Sequence, residues 1–267
     1  MDRQELAQLI SNATADDFAT DVLLGGSASF KPEVTNPYNM PEYVGSYESG
    51  KNIGIVIANL DDNIRKALDL GPEYHAIGML SGRTGACTQV NACDVGVKST
   101  NTIISRVELC RDSMGGAGHG CTVIFAGENV ADCRRAVEIS LDELENTYGD
   151  VYGCDAGHME IHYSANAGEC LVKAFGAEYG KPFGMTVGAP AAVGMVMADT
   201  ALKQGDIKLI QYMDSLEVTK MTNEVNITFT GDAAAVKSAV LAARAKGLGL
   251  LSSWGQIPRS MSKPNVR

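Results

Sequence analysis

One series of structural signals occurs twice in this chain, in the same order and at nearly constant spacing. Ile77-Gly78-Met79 returns as Phe183-Gly184-Met185 (184 − 78 = 106). CTVIFAG at 121–127 returns as VNITFTG at 225–231 (225 − 121 = 104). NIGIVIA at 52–58 returns as HMEIHYS at 158–164 (158 − 52 = 106). A chain that repeats itself in this way folds as two copies of one domain, and such pseudo-symmetric blocks close into rings. The repeat therefore points to assembly before it points to catalysis.

The length of 267 residues suits two domains of roughly 100 residues each plus flanking segments. The net charge of −10 gives no basic footprint for nucleic acid and no attraction to an anionic membrane. No run approaches the roughly 20 apolar residues of a membrane span, and the polar, acidic start does not read as a secretory signal. The seven cysteines are odd in number and fall mostly inside apolar patterns, the expectation for reduced, cytoplasmic thiols. There is no C-x-x-C, so no zinc site is signalled.

Residues 1–24 read as a helix, with Leu6, Leu9, Ile10 and Ala13 on one stripe. The stretch 25–43, rich in Gly, Pro, Ser and Asn, reads as a linker. We expect an N-terminal helix and linker over 1–42, a first domain over 43–153, a second over 154–256 and a tail over 257–267. In the first copy, strands are predicted at 52–58, 76–81, 103–109 and 121–126, with helices near 61–70, 86–99 and 130–147. In the second, strands are predicted at 158–164, 182–187, 207–213 and 224–230, with helices near 167–175, 191–204 and 232–246. Asn129 and Asp232 are plausible N-caps, and Gly247 a plausible helix end. Each copy is then a small antiparallel sheet with helices on one face, an α+β layer pair. Trp254 is expected to pack back on the body.

The most unusual stretch is RDSMGGAGHG at 111–120. Gly115, Gly116, Gly118 and Gly120 could present N–H groups to an anion, but a phosphate loop leads from a strand into a helix and this loop leads into a strand. It is either a long hairpin loop or, with Arg111, Asp112, Ser113 and Met114, the lining of an opening between subunits. The matching loop SLEVTKMTNE at 215–224 has no glycine and offers Glu217, Thr219, Lys220, Met221, Thr222 and Asn223. Divergent loops on a repeated scaffold favour the opening. Asp94 and Lys98 match Asp199 and Lys203, each an i,i+4 pair that spacing alone reads as a local ion pair. His158 and His162 fall on one face of a strand, with a solvated or core-edge role expected and no metal spacing. Cys110 reads as a buried structural thiol. GAPAAVG at 188–194 lacks the spacing of a dinucleotide fingerprint. No catalytic constellation, cofactor site or metal site emerges.

GMLSGRTGA (78–86), DVGVKSTN (94–101), RDSMGGAGHG (111–120), TYGDVYG (147–153) and AGHMEIHYSA (156–165) together resemble the shell proteins of bacterial microcompartments. Within them the chain is similar to the tandem-domain, circularly permuted trimeric type of propanediol- and ethanol-utilisation compartments, over about Tyr43 to Gln256. The resemblance implies two permuted, ferredoxin-like shell domains and a homotrimer forming a pseudo-hexamer. It implies a tile that packs beside other shell proteins and passes small polar metabolites while retaining an aldehyde. Lys98 and Lys203 would be the lysines at the tile edge. The edge arginine common in the family is replaced at Asn59 and Asn166. The loops 111–120 and 215–224 would be the pore loops, with no iron–sulfur cluster at Cys110. The N-terminal helix resembles extensions that tie shell proteins to enclosed enzymes. The competing class is a soluble small-molecule sensor or enzyme on a duplicated α+β fold, which requires a pocket with converging polar groups.

Overall fold

The computed structural model describes residues 40–110, 120–214 and 223–267. The expected N-terminal helix and most of both predicted openings lie outside them. The described chain divides into two compact units.

The first unit holds residues 40–147 and 166–181. Its strands are β1 (Tyr43–Tyr47), β2 (Asn52–Ile57), β3 (Ala76–Gly82), β4 (Ile103–Glu108) and β5 (Cys121–Gly127). They form one antiparallel sheet in the order β1-β2-β3-β5-β4. Its helices are α1 (Asp62–Ala67), α2 (Ala86–Lys98), most of α3 (Val130–Tyr148) and α4 (Glu169–Phe175). Of the apolar stripe of α3 that the 3.6-residue period marks, Cys133, Ala136, Val137 and Leu144 are buried, Leu141 is half-buried and Val130, at the helix start, is exposed. Asn129 Oδ1 accepts the N–H of Asp132 at 3.0 Å and so caps α3 as predicted. On β3 and β5, Ile77, Ile124 and Ala126 pack with Leu60, Leu68 and Leu70 from the segment carrying α1.

The second unit holds residues 148–165, 182–214 and 223–267. Its strands are β6 (Val151–Cys154), β7 (Gly157–Ser164), β8 (Phe183–Ala189), β9 (Ile207–Met213), β10 (Val225–Gly231) and β11 (Arg259–Ser260). They form a sheet in the order β11-β6-β7-β8-β10-β9. Helices α5 (Ala191–Gln204) and α6 (Ala233–Ser252) close its core around Met159, Ile161, Met197, Ile227, Phe229, Val240 and Leu251. Asp232 caps α6 by accepting the N–H of Ala234 at 2.9 Å.

The repeat extends to an irregularity. β4 skips Ser105 where it pairs with β5, and β9 skips Ile210 where it pairs with β10. One bulge therefore sits at the same place in both edge strands.

Several expectations change. Gly247 does not end α6, which runs five residues further to Ser252. A Cβ there would lie 2.6 Å from Met197 Sδ and 2.7 Å from Met159 Sδ, so this glycine serves close packing. Trp254 does not pack back and is 76% exposed. The tail is held instead by β11 on β6 and by Asp150, whose Oδ1 accepts the N–H groups of Asn265 at 2.9 Å and Val266 at 3.0 Å. Residues 166–181, which follow the second copy's strand β7, pack in the first unit rather than with the second. Local pattern alone would keep them with their own copy.

Candidate functional site

The predicted edge lysines stand at equivalent positions near the ends of α2 and α5. Each pairs with the aspartate one turn before it, Lys98 with Asp94 at 3.0 Å and Lys203 with Asp199 at 2.8 Å. There the likeness stops. Asp94 is buried, and its carboxylate accepts the N–H groups of Gly168 at 2.9 Å and Leu171 at 3.2 Å, closing the start of α4. Lys98 Nζ also donates to the Asn166 carbonyl at 2.8 Å. Glu169 accepts the N–H of Ile104 at 2.9 Å, and Lys173 donates to the Ile104 carbonyl. Five polar contacts thus rivet the segment carrying α4 to α2 and β4. Asp199 and Lys203 are both exposed, with only each other as partner among the described residues.

Asn59 and Asn166 are both exposed and lie two residues beyond the last paired residue of their strands. Ile57 pairs with Ile77, and Ser164 pairs with Phe183. The sheet register therefore makes the two asparagines structural equivalents.

Of the predicted pore-loop residues, Arg111, Asp112, Ser113, Met114, Gly115, Gly116, Gly118, Glu217, Thr219, Lys220, Met221 and Thr222 lie outside the described residues. The loops' bases are described, and they differ. Gly120 ends the first loop where a Cβ would sit 2.6 Å from the Gly82 carbonyl oxygen, so only glycine fits. The second loop ends on Asn223, whose Oδ1 accepts the Ala191 N–H at 3.1 Å at the start of α5. The next residue, Glu224, meets His158 Nε2 at 3.0 Å.

His158 and His162 are both buried, not solvated, and His162 pairs with Glu160 at 3.2 Å. Burial opposes a charge on His158. The Glu224 hydrogen bond and carboxylate, helped by Glu160, outweigh it and hold the His158 pKa above its ordinary value. Cys110, expected to be buried, is exposed. No group of three or more His, Cys, Asp or Glu with metal-binding geometry occurs among the described residues. Sequence reasoning missed the second role of Asp94 and the Glu224–His158 clasp. The residue types were visible, but neither pairing is local.

The sequence pattern that defines the BMC domain matches residues 76–153 and 183–260. The bacterial microcompartment shell protein PduB of Salmonella typhimurium is 44% identical over 222 residues, covering 83% of this chain and 82% of that protein. The crystal structure of EtuB from Clostridium kluyveri superposes with a TM-score of 0.81 at 48% identity, covering 85% of this chain and 99% of that one. The crystal structure of a trimeric bacterial microcompartment shell protein PduB gives a TM-score of 0.80 at 41% identity, covering 84% and 99%.

Proposed function

This chain belongs to the BMC-domain shell proteins of bacterial microcompartments, and from that premise we propose how it works as a tile. It is a structural trimer of the shell, not an enzyme. Three chains bring six BMC domains into a flat pseudo-hexamer, and the two kinds of loop, 111–119 and 215–222, alternate around its axis. Lys98 and Lys203, with Asn59 and Asn166, lie along the tile rim and present their remaining donors to adjoining tiles. Small polar metabolites pass through the openings, and an aldehyde intermediate is retained. The N-terminal segment docks enclosed enzymes.

One observation carries this reading. Both loops join the same pair of strands in their sheets, β4 to β5 and β9 to β10, while the first carries four glycines and the second none. A repeat that keeps its scaffold while the glycine content of these loops diverges has specialised them. The test makes the loops alike by giving residues 111–119 the sequence of 215–223, with Gly120 kept. Trimers and sheets are expected to persist, while the rate at which a small diol enters assembled shells changes. An unchanged rate would remove the loops from the permeation path.

A further inference from the structure

The two sheets share a design up to one edge. In the second sheet β6 is covered by β11, whereas β1 in the first has β2 as its one strand partner among the described residues. The two edges are equivalent. Because Asn59 matches Asn166 (166 − 59 = 107), Asn52 on β2 matches Met159 on β7, and their partners Tyr47 and Tyr152 match in turn. Tyr43-Val44-Gly45-Ser46-Tyr47 thus stands for Tyr148-Gly149-Asp150-Val151-Tyr152, with a tyrosine at each end of both. An open edge strand is a template for another strand.

The second unit shows what fills such an edge. Met261 N–H donates to the Val151 carbonyl at 2.9 Å, and Ser260 Oγ donates to the Gly149 carbonyl at 2.6 Å. Val266 is buried in the core, and its carbonyl accepts from Arg244 at 2.6 Å. Ser260, Ser262, Lys263, Pro264 and Val266 spell S-x-S-K-P-x-V. The same pattern returns in Ser27, Ser29, Lys31, Pro32 and Val34, with Phe30 as one added residue. This second occurrence lies just ahead of β1. Residues 35–42 separate it from Tyr43, and they include Asn36, Pro37, Asn39 and Pro41, the residue types of turns. The chain enters β1 through such a turn, in which Tyr43 N–H donates to the Met40 carbonyl at 3.2 Å. That turn reverses the chain, which is the geometry a hairpin partner of β1 needs.

We propose that residues 27–34 lie antiparallel along the open edge of β1 in the same chain, as 260–266 lie along β6. Ala28 N–H donates to the Ser46 carbonyl and Ser27 Oγ to the Val44 carbonyl, the counterparts of the Met261 and Ser260 bonds. Two exchanges make this seat apolar. Gly45 replaces Asp150, and Leu141 replaces Arg244 at the offset set by the helix N-caps (232 − 129 = 103). Val34 therefore packs on Leu141, which is half-buried, without a charged clasp. Residues 1–26 then leave the first unit from the Tyr47 end of β1. The strap stands or falls independently of the tile.

The test uses Ser46→p-benzoylphenylalanine in the full chain. Illumination is expected to give an adduct of single-chain mass on a denaturing gel, with the crosslink within 27–34. An adduct of two-chain mass would assign the edge to a second copy and overturn the proposal. Adducts confined to other residues of the chain, or none, would overturn it as well. A second arm leaves β1 intact and replaces residues 27–34 by a Gly-Ser stretch of the same length, followed by hydrogen exchange. The Ser46 amide is expected to lose its protection, while the Val151 amide beneath β11 keeps its own. Unchanged protection at Ser46 would overturn the proposal.

Discussion

The carboxylate of Asp94 accepts the backbone N–H of Gly168, 74 residues further along the chain, at 2.9 Å. This bond and its companion from Leu171 tie a helix of the second repeat to the body of the first. The group is buried, so removing its charge leaves two helix-start N–H groups poorly satisfied. Asp94→Asn is expected to destabilise the first unit by about 1–3 kcal/mol, the usual cost of losing a charged acceptor at buried donors. Urea unfolding would show it as a lower midpoint at unchanged slope. Asp199→Asn, in isolated subunits, is expected to change the midpoint little, because that pair is exposed.

Gly247 lies where two methionine sulfurs leave no room for a methyl group. Gly247→Ala gains helix propensity but overpacks the core of the second unit, and the clash is the larger effect. A net loss of roughly 1–2 kcal/mol is expected, measured by thermal unfolding. Gly249, on the same helix with open space around it, is the control. Gly249→Ala is expected to stabilise by up to about 1 kcal/mol.

The clasp between His158 and Glu224 predicts a pH dependence. The folded-state pKa of His158 is raised, so its contribution to stability is fully present below the unfolded value of about 6.5. It is lost as pH rises through the higher folded value. The second unit is therefore expected to be less stable at pH 8.5 than at pH 6.5. His158→Gln is expected to flatten that difference, read from melting temperatures across the range.

The lysines proposed for the tile rim offer a way to separate tile formation from tile packing. Lys98→Ala with Lys203→Ala removes two charged donors, and the first also loses its pair with buried Asp94. Sheets are expected to disappear from electron micrographs while the trimer survives in light scattering. Sheets that persist would move the tile edge elsewhere.

Much of this was legible in the sequence because the repeat disciplines it. Strand and helix positions agree between copies, and Asn129 and Asp232 announce their helix starts. The family resemblance rests on contiguous motifs, so it too could be read directly. What stayed hidden depends on distance. Asp94 looks like the i,i+4 partner of Lys98, and nothing local reveals that Gly168 and Leu171 share it. Gly247 sits where a helix could stop, and only the opposing Met159 and Met197 explain why the helix continues through it. Trp254 is apolar enough to suggest burial, yet the tail is anchored by Asp150 and a two-residue strand. Short strands such as β6 and β11 carry too few residues for a periodic signal.

The central claim is that this protein is a shell tile, and electron microscopy of the purified full chain tests it most directly. The account predicts flat, roughly hexagonal particles with threefold symmetry that pack edge to edge into sheets. Isolated monomers whose stability depends on a small-molecule ligand would contradict it.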